Sequence, residues 1–120
     1  GWRGLAAGVI EETVKAMSIR PSALITSVGP SIGVAAYPVG NNVISELREA
    51  GVQPVYSNGR LSLVATARTL LARFRIPLQL SLSALCTYRY NLHYYSYRKN
   101  SCTGRFAAFA RSCVVSEVYK

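Results

Sequence analysis

Between Cys86 and Arg105 the chain reads CTYRYNLHYYSYRKNSCTGR. Tyr88, Tyr90, Tyr94, Tyr95 and Tyr97 alternate there with Arg89, Arg98, Lys99 and Arg105. Flat rings accept planar ligands, and a guanidinium grips phosphate or carboxylate through paired donors. The stretch holds no acidic residue, so its arginines lack a local carboxylate partner. It closes on Thr103-Gly104-Arg105, a turn that frees backbone N–H groups beside a cation. Together these groups suit a planar, anionic ligand. The competing reading is an aromatic β-hairpin with solvated basic tips, and on chemistry alone it is the plainer of the two.

Two shorter stretches carry similar chemistry. Gly1-Trp2-Arg3-Gly4 opens a helical pattern, and a Gly-bounded turn entering a helix presents free N–H groups. Arg3 there can hold an anion or stack on a purine; a plain helix cap is the simpler alternative. Gly29-Pro30-Ser31-Ile32-Gly33 follows an apolar run, as a rigid loop at the carboxyl end of a strand, the edge where α/β sheets bind ligands. It lacks the Lys-Ser/Thr ending of a P-loop and reads otherwise as an ordinary turn. His93, the single histidine, reads as a strand or turn residue and not a ligand. Cys86 reads as a packed thiol, with no His or carboxylate placed to activate it, and Cys102 falls in a basic turn.

The elements that must position these groups follow from periodicity. Leu5, Val9, Thr13 and Met17, with Ile10 and Val14 alongside, predict one helix ending at Pro21. Ala23–Val28 predicts a buried strand. Asn41 or Asn42 is placed to cap a helix carrying Val43, Ile44 and Leu47, stopped by Gly51. Val52–Tyr56 reads as a brief strand, with a turn at Asn58-Gly59. Ser62 caps a further helix whose face is Leu63, Ala67, Leu70, Leu71 and Phe74, with Arg68, Arg73 and Arg75 solvated. Leu78, Leu80, Leu82 and Ala84 alternate with polar residues as a half-buried strand. Tyr94–Arg98 and Arg105–Arg111 read as paired strands around a turn at Lys99–Gly104. Phe106, Ala108 and Ala110 share a face of the second, and Cys113–Tyr119 continues it. Helices and strands alternate early and strands dominate late, an α/β (α+β) arrangement with a mixed sheet layered against helices.

Composition narrows the partners. The 120 residues suffice for one small domain or part of a larger one, and half are hydrophobic, which excludes a disordered chain. The net charge is +9, and all five acids are Glu. Such a balance favours phosphorylated metabolites, nucleic acid or an acidic surface. Three cysteines without CxxC spacing argue against a disulfide framework or zinc knuckle and fit reduced thiols in a cytoplasmic protein. No apolar run of about 20 residues is present to span a membrane, and no secretory signal is visible.

The ordered set GWRG, GPSIG, Tyr37-Pro38-Val39-Gly40, Cys86-Thr87, YSYRK and Thr103-Gly104-Arg105 resembles the YfiH-like, laccase-domain (multicopper polyphenol oxidase) family. The similarity runs from Gly1 to about Arg105. It implies an α/β fold and purine nucleoside chemistry: phosphorolysis of adenosine, inosine and methylthioadenosine, and deamination of adenosine. Phenol oxidation is the older family description. It also implies a metal, zinc or in the older description copper, held by two His and one Cys that would precede Gly1. The chain then reads as the C-terminal half of a laccase-domain protein, a single partial domain over 1–120. Arg3, Arg98 and Arg105 match the family's motif arginines, Ser31 falls in its GPSIG loop, and Thr103 in its TGR. These five are the expected substrate and phosphate contacts, with no metal ligand among them and no catalytic residue assigned.

The chain departs from the family's pattern at several points. Val34-Ala35-Ala36 stands for Pro-Cys-Cys, Pro38 for Glu, Leu61-Ser62-Leu63 for Leu-Asp-Leu, and Ala67 for Asn. A diverged, inactive remnant is therefore one alternative to the enzyme. A basic module that binds single-stranded nucleic acid through Arg and Tyr is another. As an isolated piece the chain is expected to leave strand edges unpaired and to be poorly soluble.

Overall fold

The computed structural model describes residues 1–81 and 85–105. Helices α1 (Trp2–Ala6) and α2 (Val9–Met17) open the chain. They are two helices and not the single one expected, because Gly8 takes a left-handed backbone (φ 76°) between them. The break rotates the apolar stripe. Val9 and Thr13 face solvent, while Ile10, Val14 and Met17 turn inward. The buried strand expected at 23–28 is shorter as well. A 3-10 turn covers Pro21–Ala23, Leu24 is buried, Ile25 is 82% exposed, and only Thr26–Val28 forms strand β1.

Helix α3 (Asn41–Glu49) buries Val43, Ile44 and Leu47 as their spacing required. Its N-cap is Gly40 and not an Asn, and no side chain bonds the free N–H groups there. Gly51 ends it in the left-handed region (φ 77°). Strands β2 (Tyr56–Ser57) and β3 (Arg60–Leu61) form a hairpin around Asn58 (φ 49°) and Gly59 (φ 71°). Two positive φ values in succession give the turn a twist that matches the strands. Helix α4 (Leu63–Arg73) is capped by Ser62, whose Oγ accepts from the Ala65 N–H at 3.2 Å. Thr66, passed over in the apolar face, is fully buried; its Oγ1 accepts from the Val55 N–H at 3.0 Å.

After α4, β4 (Leu78–Ser81) pairs with β1 in parallel, Thr26 with Leu78 and Val28 with Ser81. A second antiparallel contact joins Pro38 to Arg60, and the Leu61 N–H donates to the Tyr37 carbonyl at 3.1 Å. The mixed α/β architecture is as expected. Among the described residues its strands form two pairs, one parallel and one antiparallel. One core gathers Trp2, Leu5, Tyr37, Val43, Ile44, Leu47, Val52 and Leu61; a second gathers Leu24, Leu71 and Ile76, and Ile10 touches both.

The expected strand over 94–98 is absent. Residues 87–102 run as successive turns: the Tyr94 N–H donates to the Tyr90 carbonyl, and those of Lys99 and Asn100 to the Ser96 carbonyl. Tyr88, Tyr90 and Tyr97 fall in turns and Tyr94 in a bend, so their rings do not alternate along a ladder. The readings for Leu82, Ala84, Phe106 to Arg111 and Cys113–Tyr119 lie outside the described residues. No described helix is long and apolar enough to cross a membrane.

Candidate functional site

The parallel β1–β4 pairing continues past both strands. Ser31 forms a parallel bridge with Cys86, and the Thr87 N–H donates to the Ser31 carbonyl at 3.0 Å. This places the GPSIG loop against the Cys86-Thr87 step. The turns that follow fold the 95–105 segment over α1 and the Tyr37-Pro38 segment. The result is a cavity of about 760 Å³. Arg3, Ser31, Arg98, Thr103 and Arg105, dispersed in sequence, all line it.

The three guanidinium groups share one arrangement. Arg3 lies over the Trp2 ring at 4.7 Å from its centroid, Arg98 over Tyr37 at 4.7 Å, and Arg105 over Tyr97 at 5.5 Å. Arg98 also donates from Nη1 to the Pro38 carbonyl at 2.8 Å. A ring face and one carbonyl fix the planar fork while leaving its other N–H groups available. Among the described residues no Glu lines the cavity. The one ion pair among the described residues, Lys15–Glu12 at 2.9 Å, lies on the exposed side of α2. The arginines thus take aromatic partners in place of the carboxylates their stretch lacks, and their charge is not neutralised within the cavity.

Several lining residues escaped the reading of site residues. Tyr37 is 6% exposed and carries Arg98; its only signal was an aromatic before proline in a Gly-rich loop. Trp2 was noted as a large ring without a role. Thr87 and Ser96 are buried hydroxyl residues on the wall, and Leu63 adds an apolar edge. Tyr88 pairs with Lys99 instead, with the ammonium 4.9 Å from the ring centroid, and is not on the wall. His93 lies exposed in a turn.

Cys86 sits behind the wall. Its Sγ accepts from the Gly33 N–H at 3.1 Å. Burial pushes this thiol up, but N–H groups of Gly33, Arg89 and Tyr88 and the charge of Arg89 outweigh it, so its pKa is lowered. A Cβ on Gly33 would meet Cβ and Sγ of Cys86 at 3.3 Å, so the close approach depends on that glycine. Cys102 is exposed, and its N–H donates to Asn100 Oδ1 at 3.0 Å.

Fold and site together define an α+β domain with a cavity walled by arginines and aromatic rings. The chain belongs to the family described as multi-copper polyphenol oxidoreductase laccase, which matches residues 1–112. It is 36% identical to a purine nucleoside phosphorylase of Pseudomonas aeruginosa, PA4543, over 90% of this chain and 48% of that protein. It is 36% identical to the purine nucleoside phosphorylase YfiH of Escherichia coli K12, over 91% and 47%. The crystal structure of Neisseria meningitidis protein NMB0706, of the DUF152 family, superposes with a TM-score of 0.70 at 32% identity, covering 87% of this chain and 46% of that one. The chain spans about half the length of these relatives. The family's name speaks of copper, yet among the described residues no group of three His, Cys, Asp or Glu stands together to hold a metal ion. The described residues do not fit a metal site.

Proposed function

We propose that this chain is the C-terminal half of a purine nucleoside phosphorylase and supplies the phosphate-binding wall of its pocket. The observation that carries the reading is the convergence of Arg3, Arg98 and Arg105 on one cavity whose described lining holds no carboxylate. The names of the relatives at 36% identity support the nucleoside as partner. A metal, zinc or copper, would be held by side chains ahead of Gly1.

In phosphorolysis a phosphate oxygen bonds to C1′ of the ribose as the C1′–N9 bond breaks. The electron pair leaves with the purine, which takes up a proton, and ribose 1-phosphate remains. The nucleophile is a dianion that must be oriented and partly desolvated. Guanidinium groups held on rings do both without reorganising. Arg98 is the most firmly seated of the three, and Ser31 and Thr103 offer hydroxyl donors beside it. The test is the full-length protein with adenosine, inosine or methylthioadenosine, with and without phosphate. Phosphate-dependent release of free base, lost in Arg98→Ala, is the expected result. Base release that ignores phosphate, or phosphorolysis unchanged in Arg98→Ala, overturns it. Absence of turnover with steeply salt-dependent oligonucleotide binding would instead favour a nucleic-acid module.

A further inference from the structure

Among the described residues four aromatic rings line the cavity, and they are not equivalent. Trp2, Tyr37 and Tyr97 each carry a guanidinium on one face. Trp2 and Tyr37 are, besides, buried in the core. Tyr95 differs from Trp2 and Tyr37 on both counts, and from Tyr97, which is 59% exposed, on the first. No described cation covers its ring, and it is 53% exposed while bordering the cavity. Among the described lining residues it is the ring without a cation on it, so its cavity face is left for a planar ligand.

The other face of Tyr95 is occupied by backbone. A Cβ built on Gly104 would lie 3.0 Å from Cζ, 3.1 Å from Cε1 and 3.3 Å from Cε2 of Tyr95. An approach from the ring edge would bring one of these atoms much closer than the others. Near-equal distances place Gly104 beneath the face. Gly104 is not in the left-handed region, so an alanine there meets no backbone strain and acts through the ring alone. We infer that Tyr95, backed by Gly104, is the platform on which the purine base stacks, with Gly104 as its positioning residue. This rests on the nucleoside reading above and adds which ring takes the base. It also separates the cavity by chemistry: arginine-covered rings for the phosphate side, an uncovered ring for the base.

The test compares variants of the full-length protein by steady-state kinetics, varying nucleoside and phosphate separately. Tyr95→Ala is expected to raise KM for the nucleoside about 10-fold, the scale of losing one base–aromatic stack, with KM for phosphate within about twofold. Tyr95→Phe, which keeps the face, is expected to match the parent. Gly104→Ala is expected to raise nucleoside KM about threefold in the parent and to change nothing in a Tyr95→Ala background, as for two residues acting as one unit. Thermal unfolding checks that each variant is folded; if Gly104→Ala is not, the Tyr95→Ala and Tyr95→Phe pair still decides. Nucleoside KM unmoved by Tyr95→Ala, in an enzyme that performs phosphorolysis, overturns this inference and leaves the function standing. A parent protein without nucleoside turnover overturns both.

Discussion

Arginine lies on an aromatic ring on two sides of this molecule, with different consequences. On the helical side, Arg48 lies 5.6 Å from the Tyr56 ring centroid and Arg73 5.9 Å from that of Phe74. Arg73 donates to the Gly51 carbonyl at 2.7 Å, tying the end of α4 to the end of α3. Those groups fasten an exposed surface that lines no described site. On the cavity side, Arg3, Arg98 and Arg105 make the same kind of ring contact, but α1 and the 95–105 segment bring them to one cavity wall. The pairing of cation and ring therefore does not mark a site. Convergence on a cavity whose described lining holds no carboxylate does.

The sharpest way to break this comparison is to truncate one arginine from each side. Arg98→Ala in the full-length protein is expected to lower kcat/KM for phosphorolysis about 10²- to 10³-fold, the scale of losing one preorganised donor to a charged transition state. Arg73→Ala should leave it within about twofold, and equal losses would erase the distinction. Next in size, Thr66→Val orphans the Val55 N–H and should cost about 1–3 kcal/mol in denaturant unfolding with nucleoside KM unchanged. Arg73→Ala itself should cost about 1 kcal/mol by the same measurement, showing that the helical-side pair acts on stability.

The smallest effect concerns Cys86 behind the wall. Its folded pKa is depressed, so its alkylation by iodoacetamide should reach half-maximal rate at a lower pH than that of a free cysteine thiol. By linkage, the thiolate's contribution to stability is full above the unfolded-state pKa and fades as pH falls through the lower folded value. A Cys86→Ser variant should flatten that slope in pH-dependent unfolding.

Local chemistry was legible where one residue decided the outcome. Ser62 caps α4, Gly51 ends α3, and Asn58-Gly59 turns the hairpin, each through its own backbone or side-chain preference. The first helix was misread because Leu5, Val9, Thr13 and Met17 keep their spacing across Gly8, and only the left-handed φ there reveals the break. The tyrosine-rich stretch was misread as a strand because ring content signals a half-buried surface and not a ladder. The five candidate site residues came from short ordered motifs, and their meeting in one cavity follows from the parallel β1–β4 pairing, which no local pattern encodes. Tyr37 and Trp2 were missed as supports for the same reason: a ring's partner is set by tertiary approach.

That parallel pairing has a consequence for how the chain acquires its shape. Arg3 and Arg105 stand near opposite ends of the described residues, so the wall they share closes one of the longest loops in the described fold. Contacts of such separation form late, after the helices and the hairpin have ordered themselves. During synthesis the pocket should be the last region to become protease-resistant, completed only when the tyrosine turns have returned to the first helix.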